Sequence, residues 1–260
     1  MNLIGIYVIG LAVILVLMTL LWLVSLRLKN SSIVDIFWGA GFVLAAWLYF
    51  GLTPNGFLPR KLLIAGLATL WGLRLSIHIL RRNWGKPEDF RYTKWRSEAG
   101  AKWWWQSYPR IFLQQGVLLW IISMPLLAAQ FGTAPARITW LDVLGVVVWL
   151  VGFGFEAAGD AQLAGFVADP TNRGKVMDRG VWRYTRHPNY FGDAAQCWGF
   201  YLIAAAAGGW WAFYSPALMT YLLVFVSGVA LLEKKMMQRP AYREYARYTN
   251  AFVPWFPHKN

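Results

Sequence analysis

The chain has 260 residues, of which 58% are hydrophobic and only 14% charged. A soluble domain carries about 25% charged residues, so this composition excludes a water-soluble globule and leaves an integral membrane protein. The net charge of +13 would suit nucleic acid, but in a membrane chain it marks cytoplasmic loops, and no nucleic-acid partner is expected.

A bilayer-crossing helix needs roughly 20 mostly apolar residues. Seven spans are predicted, at about 3–26, 33–52, 61–80, 111–131, 139–158, 193–207 and 210–232. The first has no small-residue cleavage site behind a brief apolar core, so it is expected to stay as a helix. The sixth is short, and Gly208-Gly209 turns it into the seventh as a tight helical hairpin. The predicted fold class is therefore an all-α integral membrane protein with one membrane domain over 1–260.

Charge orients the spans. With the N-terminus outside, the inner segments carry Arg27 and Lys29, eight cations between Arg81 and Arg110, five between Arg173 and Arg186, and six from Lys234 onward. The outer loops carry Arg60, Lys61 and Arg137, and Arg74 lies within the third span. Positive residues collect on cytoplasmic loops. The N-terminus is thus expected outside and the C-terminus in the cytoplasm. The polar segments 81–110, 159–192 and 233–260 then share the cytoplasmic face, where any chemistry should open. The lone Cys197 excludes an intrachain disulfide and a multi-cysteine metal site. With only His78, His187 and His258, and no carboxylate spaced to join them, no metal is expected.

Ionisable groups inside a membrane are costly and usually face a cavity or a partner. Asp35 lies at the inner end of the second span, and Arg74 and His78, four apart, share one face of the third. Asp35 either neutralises Arg74, with His78 reaching toward the surface, or lines a pocket with His78 where a substrate is polarised. In the second case Trp38, one turn on, walls the pocket.

The stretch "DPTNRGKVMDRGVWRYTRHPNYFGD", 169–193, is rich in donors and acceptors. Lys175, Arg183 and Arg186 suit phosphates. Asn172, Asn189 and Asp193 suit ribose hydroxyls or an amide, and Trp182, Tyr184 and Tyr190 suit stacking on rings. No glycine-rich nucleotide fingerprint of a soluble fold accompanies them. The other reading is an interfacial loop anchored to anionic headgroups through arginine and tryptophan.

"GVWRYTRHPNYFGD" (180–193), a hydrophobic hairpin, then "EKKMMQRPAYREYARYTNAFVPWFP" (233–257) resemble the C-terminal region of the membrane steroid 5α-reductase and sterol reductase superfamily. With "SSIVDIFWG" (31–39) and "RRNWGKPEDFRY" (81–92), the closer resemblance is to its bacterial branch of uncharacterised function, the DUF1295 family. The resemblance implies an NADPH-dependent enzyme of the inner membrane that reduces a C=C bond of a lipid or steroid-like molecule dissolved in the bilayer. The cofactor enters from the cytoplasm and is held by the C-terminal half, 133–260, while residues 1–132 form the substrate side. Arg186, His187, Asn189, Tyr190 and Asp193 match the family's cofactor-contact motif, Tyr245 matches the tail tyrosine region that closes over the cofactor, and Pro188 sets the helix start. Glu156, Asp160 and Gln162 are expected on the adenosine side, with Asn172, Lys175 and Arg183 completing the cofactor set. Trp38, Arg74 and Asn83 are assigned to the substrate. No obligatory protein partner is implied.

Steroid reductases of that superfamily place a Gln-Glu pair on the second span and a tyrosine on the third to activate an enone carbonyl. This chain departs from that pattern, with Asp35 on the second span and Arg74 and His78 on the third. The proton is therefore expected from a protonated Asp35 or from His78. The alternative is a membrane methyltransferase of the isoprenylcysteine or phospholipid type, which shares an Arg-His-Pro-x-Tyr segment and a Glu-containing tail and uses S-adenosylmethionine. Arg186, His187, Pro188 and Glu233 fit either; the basic residues before them favour a phosphate-bearing cofactor.

Overall fold

The computed structural model describes residues 1–258, and among them the regular elements are all helical. The chain separates into two compact units, Met1–Thr139 with Ala204–Ala212, and Trp140–Ile203 with Phe213–Asn260. Six helical stretches are long and apolar enough to cross a membrane: Leu3–Leu28, Ile33–Leu52, Leu58–Asn83, Phe90–Phe131, Trp140–Ala168 and Trp210–Met236. The predicted short sixth span does form a helix, Pro188–Ala206, but it is not among those six. Asn189, Asp193 and Gln196 dilute its apolar character.

In the first unit, α1 (Leu3–Leu28) buries Ile6, Gly10, Ile14, Met18 and Leu21, while Ile4, Val8, Val16 and Leu20 point outward. The buried stripe follows the helical period, and the outward apolar face suits lipid. Helices α2 (Ile33–Leu52) and α3 (Leu58–Asn83) meet at Gly39 and Gly72, where a Cβ on either would run into the other's carbonyl. Between membrane helices, small residues permit the close approach that gives dispersion contact. Phe42 and Trp71 pack beside this crossing with ring centroids 5.2 Å apart.

Two expected loop cations prove to be structural. Arg60 and Lys61 lie in the first turn of α3 and are buried. Arg60 donates to the carbonyls of Pro135 and Arg137 at 3.3 and 2.9 Å, and Lys61 to that of Thr53 at 2.6 Å.

The interval 81–110, expected as a loop, is largely helical. Asp89 caps α4 (Phe90–Ala99) by accepting from the Arg91 N–H at 2.9 Å, and Gly100 at φ 55° ends it. The short α5 (Trp103–Ser107) and a π-helical stretch, Tyr108–Leu113, lead into α6 (Gln114–Ile122) and α7 (Met124–Phe131).

In the second unit, α8 (Trp140–Ala168) runs ten residues past the predicted end of its span. The extra residues are helix-compatible, and Pro170 supplies the stop by disfavouring helix in the residue before it. Helix α9 (Pro188–Ala206) begins at its proline. Gly152 of α8 and Gly192 of α9 touch backbone to backbone, as do Gly145 and Gly199. Beyond α9, Gly208, in the segment that belongs to the first unit, makes the predicted turn at φ 84°. The last span is interrupted. After α10 (Tyr214–Tyr221) come a π-helical stretch, Leu222–Val226, and a break at Gly228 before α11 (Val229–Met236). The last helix, α12 (Pro240–Tyr248), turns Tyr242 and Tyr245 inward.

Candidate functional site

Asp35 sits in the first turn of α2. Its partners come from elements distant in sequence. The Tyr92 hydroxyl of α4 donates to Asp35 Oδ1 at 2.8 Å. The Gln115 amide of α6 donates to the Tyr92 oxygen at 3.2 Å and to Asp35 Oδ1 at 3.4 Å. Arg91 Nη2 lies 3.5 Å from Asp35 Oδ2. Tyr92 is 3% exposed, whereas the Asp35 side chain is 20% exposed, so the carboxyl is the member a ligand could reach.

Pairing with Arg74 was one of the two readings of Asp35; the cation beside its carboxylate is Arg91. Arg74 and His78 are half-buried on α3. Trp38 packs edge-on against Phe42, with ring centroids 5.6 Å apart. Asn83 ends α3 and accepts from Arg82 Nε at 3.3 Å. Tyr92 and Gln115 escaped the sequence reading. Tyr92 lay in an interval taken for loop, and Gln115 in one taken only as an apolar span. The single available signal was a polar side chain one turn into that span.

The second unit holds a tighter polar centre around Glu233. Arg186 Nε and Nη2 reach its two carboxylate oxygens at 3.0 and 2.9 Å, a bidentate pair. His187 Nε2 lies 2.9 Å from Glu233 Oε1, and the Tyr242 hydroxyl donates to the same oxygen at 2.7 Å. Arg186 Nη1 donates to the carbonyls of Thr249 and Ala246. The Arg186 side chain is only 9% exposed. Burial, and then the adjacent Glu233 carboxylate, push the Tyr242 phenol well above the ordinary tyrosine range, so it stays a donor.

Arg186 was expected to grip phosphate, but Glu233 and two backbone carbonyls take four of its five N–H donors. His187 is turned to the same carboxylate, with Tyr190 stacked on it at 5.7 Å. Tyr245, expected to close over a cofactor, is buried and donates to the carbonyls of Trp182 and Thr185. Together these residues fasten the 182–187 turn to α11 and α12.

Other candidates group differently. Asn189 Nδ2 donates to Asp160 at 3.3 Å, and Gln196 donates to Glu156 at 2.6 Å, linking α8 to α9. Asp193 lies one turn after Asn189, on α9. Gln162 accepts from the Val181 N–H at 3.1 Å and so holds the turn that carries exposed Arg183. Asn172, Arg173, Lys175 and Arg239 line a recess of about 390 Å³. Arg239 ties its rim by donating to the carbonyls of Gly174 and Lys175 at 2.9 and 3.2 Å. This recess brings Asn172 and Lys175 together with Arg173 and Arg239, and Arg183 and Arg186 are not in its lining. Among the described residues no cluster of metal-ligating side chains forms.

No solved structure matches the chain significantly. An uncharacterized protein of Schizosaccharomyces pombe is 28% identical to it over 280 residues, covering 95% of this chain and 79% of the yeast protein. The family described as "Protein of unknown function (DUF1295)" matches residues 21–249. With that match spanning both units, this membrane-embedded helical protein belongs to the DUF1295 family.

Proposed function

We propose that the protein is a reductase of a C=C bond conjugated to a carbonyl, acting on a lipid or steroid-like molecule in the bilayer, with NADPH as reductant and a site open to the cytoplasm of a bacterial cell. The observation that carries this reading is the Gln115–Tyr92–Asp35 chain of hydrogen bonds with Arg91 at its end. A tyrosine, an amide and a carboxyl gathered from three helices resemble the elements of carbonyl activation that steroid reductases use, drawn here from other positions.

The chemistry that bound NADPH would supply is a hydride for the β-carbon. The chain supplies the matching proton. A protonated Asp35 donates it to the substrate side, so that one hydride and one proton add across the double bond. The carboxylate left behind is held by the Tyr92 hydroxyl, the Gln115 N–H and the Arg91 guanidinium, and water returns the proton. Positioned acid catalysis of this kind is worth about 10²–10⁴-fold.

The fit of the second unit to a dinucleotide is uneven. Arg173, Lys175 and Arg239 form a basic set suited to phosphate, while the Asn172 amide donates to the Phe166 carbonyl at 3.0 Å and the Asp169 carboxylate shares the lining. The Asp160–Asn189 pair offers an acceptor and a donor for ribose hydroxyls. Arg186 and Tyr245 fit a direct contact poorly, because the protein itself takes most of their polar atoms, and His187 has its Nε2 on Glu233.

Thermal denaturation of the detergent-purified protein with NADPH, NADH or S-adenosylmethionine tests this reading. A ligand at 100 times its dissociation constant adds about 2.7 kcal/mol. Stabilisation by NADPH and a build-up of an unsaturated lipid in cells lacking the gene are expected. Stabilisation by S-adenosylmethionine alone would replace the reductase with the methyltransferase.

A further inference from the structure

The segment that delivers Tyr92 is fastened by contacts that the proposed chemistry does not use. Glu88 lies between α3 and α4, with its side chain 9% exposed. Its Oε1 accepts the Ser31 N–H at 2.6 Å and Arg96 Nη2 at 2.8 Å, and its Oε2 accepts Arg96 Nε at 2.9 Å. One residue on, the Asp89 N–H donates to Ser32 Oγ at 2.8 Å. The Ser31–Glu88, Ser32–Asp89 and Asp35–Tyr92 contacts all join residues 57 apart. Residues 31–35 and 88–92 are thus held in one register, and slipping any contact slips the others.

The cap of α4 does not explain these contacts. Asp89 caps that helix through the Arg91 N–H, and this would hold α4 together wherever the helix lay. The bonds from Ser31 and Ser32 are different in kind, since they bind the start of α4 to the turn before α2. Ser31 is 1% exposed, so its N–H has no ready replacement in water. Only a carboxylate meets the whole demand at position 88. It offers one oxygen to a backbone N–H and both to a guanidinium, whereas an amide would turn an N–H toward Arg96 or Ser31.

We propose that Glu88 is the positioning residue of the Tyr92–Asp35 pair: it clamps α4 to the Ser31–Ser32 turn in the register that brings the phenol onto the carboxyl. Its value to catalysis rests on the reductase reading, but the positioning itself does not.

The test is ¹⁹F NMR of protein labelled with 3-fluorotyrosine in detergent micelles. The Tyr92 line is assigned among the twelve tyrosines by its loss in Tyr92→Phe. Asp35→Asn should shift that line directly. Glu88→Gln should shift and broaden the same line although its side chain touches neither residue of the pair, and Glu88→Asp should recover part of the effect. Glu98→Gln, on the same helix but among exposed cations, should leave it in place. A folded Glu88→Gln protein with an unmoved Tyr92 line overturns the proposal. If Glu88→Gln does not fold, Ser32→Ala removes a weaker link of the same clamp, and an unmoved line there overturns it equally. Failure of NADPH to bind would remove the reductase reading and leave the Tyr92 response intact, so the two failures are separable.

Discussion

The Tyr92 hydroxyl donates to Asp35 across 2.8 Å, joining α4 to the first turn of α2 over 57 residues of chain. The contact gives the carboxyl a neutral donor on one oxygen, while Arg91 stands by the other. The acid therefore has partners ready for its charged form.

Asp35 and Arg91 should couple energetically, and Asp35 and Arg74 should not. In a double-mutant cycle with Asp35→Asn, Arg91→Gln should give about 0.2–1 kcal/mol, the range for a partly exposed ion pair. Arg74→Gln should be additive with it. Thermal denaturation of the four proteins of each cycle measures this, and a larger coupling to Arg74 would restore the pairing first expected from sequence.

Asp35→Asn should spare folding and NADPH binding while slowing chemistry. An amide keeps the shape and cannot release a proton readily. The loss expected for a missing general acid is about 100-fold or more. Single-turnover NADPH oxidation with the unsaturated lipid found in gene-deleted cells provides the reading. An unchanged rate removes Asp35 and leaves His78 as the proton source.

Glu233→Gln should be strongly destabilising. It leaves the Arg186 guanidinium buried beside a neutral group, and breaking a buried pair from one side costs about 3–5 kcal/mol. Tyr242→Phe, which removes one donor to the same carboxylate, should cost less, about 1–3 kcal/mol. Midpoints of thermal unfolding rank the two, and equal midpoints would mean that Glu233 is not the hub.

Lys175→Ala and Arg186→Ala should fail in different ways. Lys175 is exposed at the recess, so its loss should weaken NADPH binding about tenfold or more with little change in stability. Arg186→Ala should lower stability first, because it strands Glu233. Titration and unfolding of both variants decide this. A stable Arg186→Ala protein that has lost only NADPH would return Arg186 to the cofactor.

Acid should release the Glu88 clamp. Burial alone would raise this carboxyl, but the Arg96 guanidinium and the Ser31 N–H outweigh it and hold its pKa below the ordinary 4.5. A lowered folded value means that the stabilisation is fully present above 4.5 and is lost as pH falls through the lowered value. The midpoint difference between wild type and Glu88→Gln should be constant near neutrality and shrink only in that acid window. A difference that instead grows with acid would contradict the ion pair.

The all-helical membrane class, most span positions, the Pro188 start of α9 and the Gly208 turn were legible from composition, apolar runs and local backbone preference. These are properties of contiguous residues, which the chain writes directly. The polar partnerships were not legible, because a carboxylate can take any donor that folding brings near. Asp35 could have paired with Arg74 on the neighbouring span. The register of α4 gave it Tyr92 and Arg91 instead. Arg186 read as a phosphate ligand because it sits among donors in sequence. Glu233, 47 residues on, meets its fork with a carboxylate inside the protein. A charged side chain shows its chemistry in sequence, but whether that chemistry is spent inward or left for a ligand depends on what the tertiary fold sets against it.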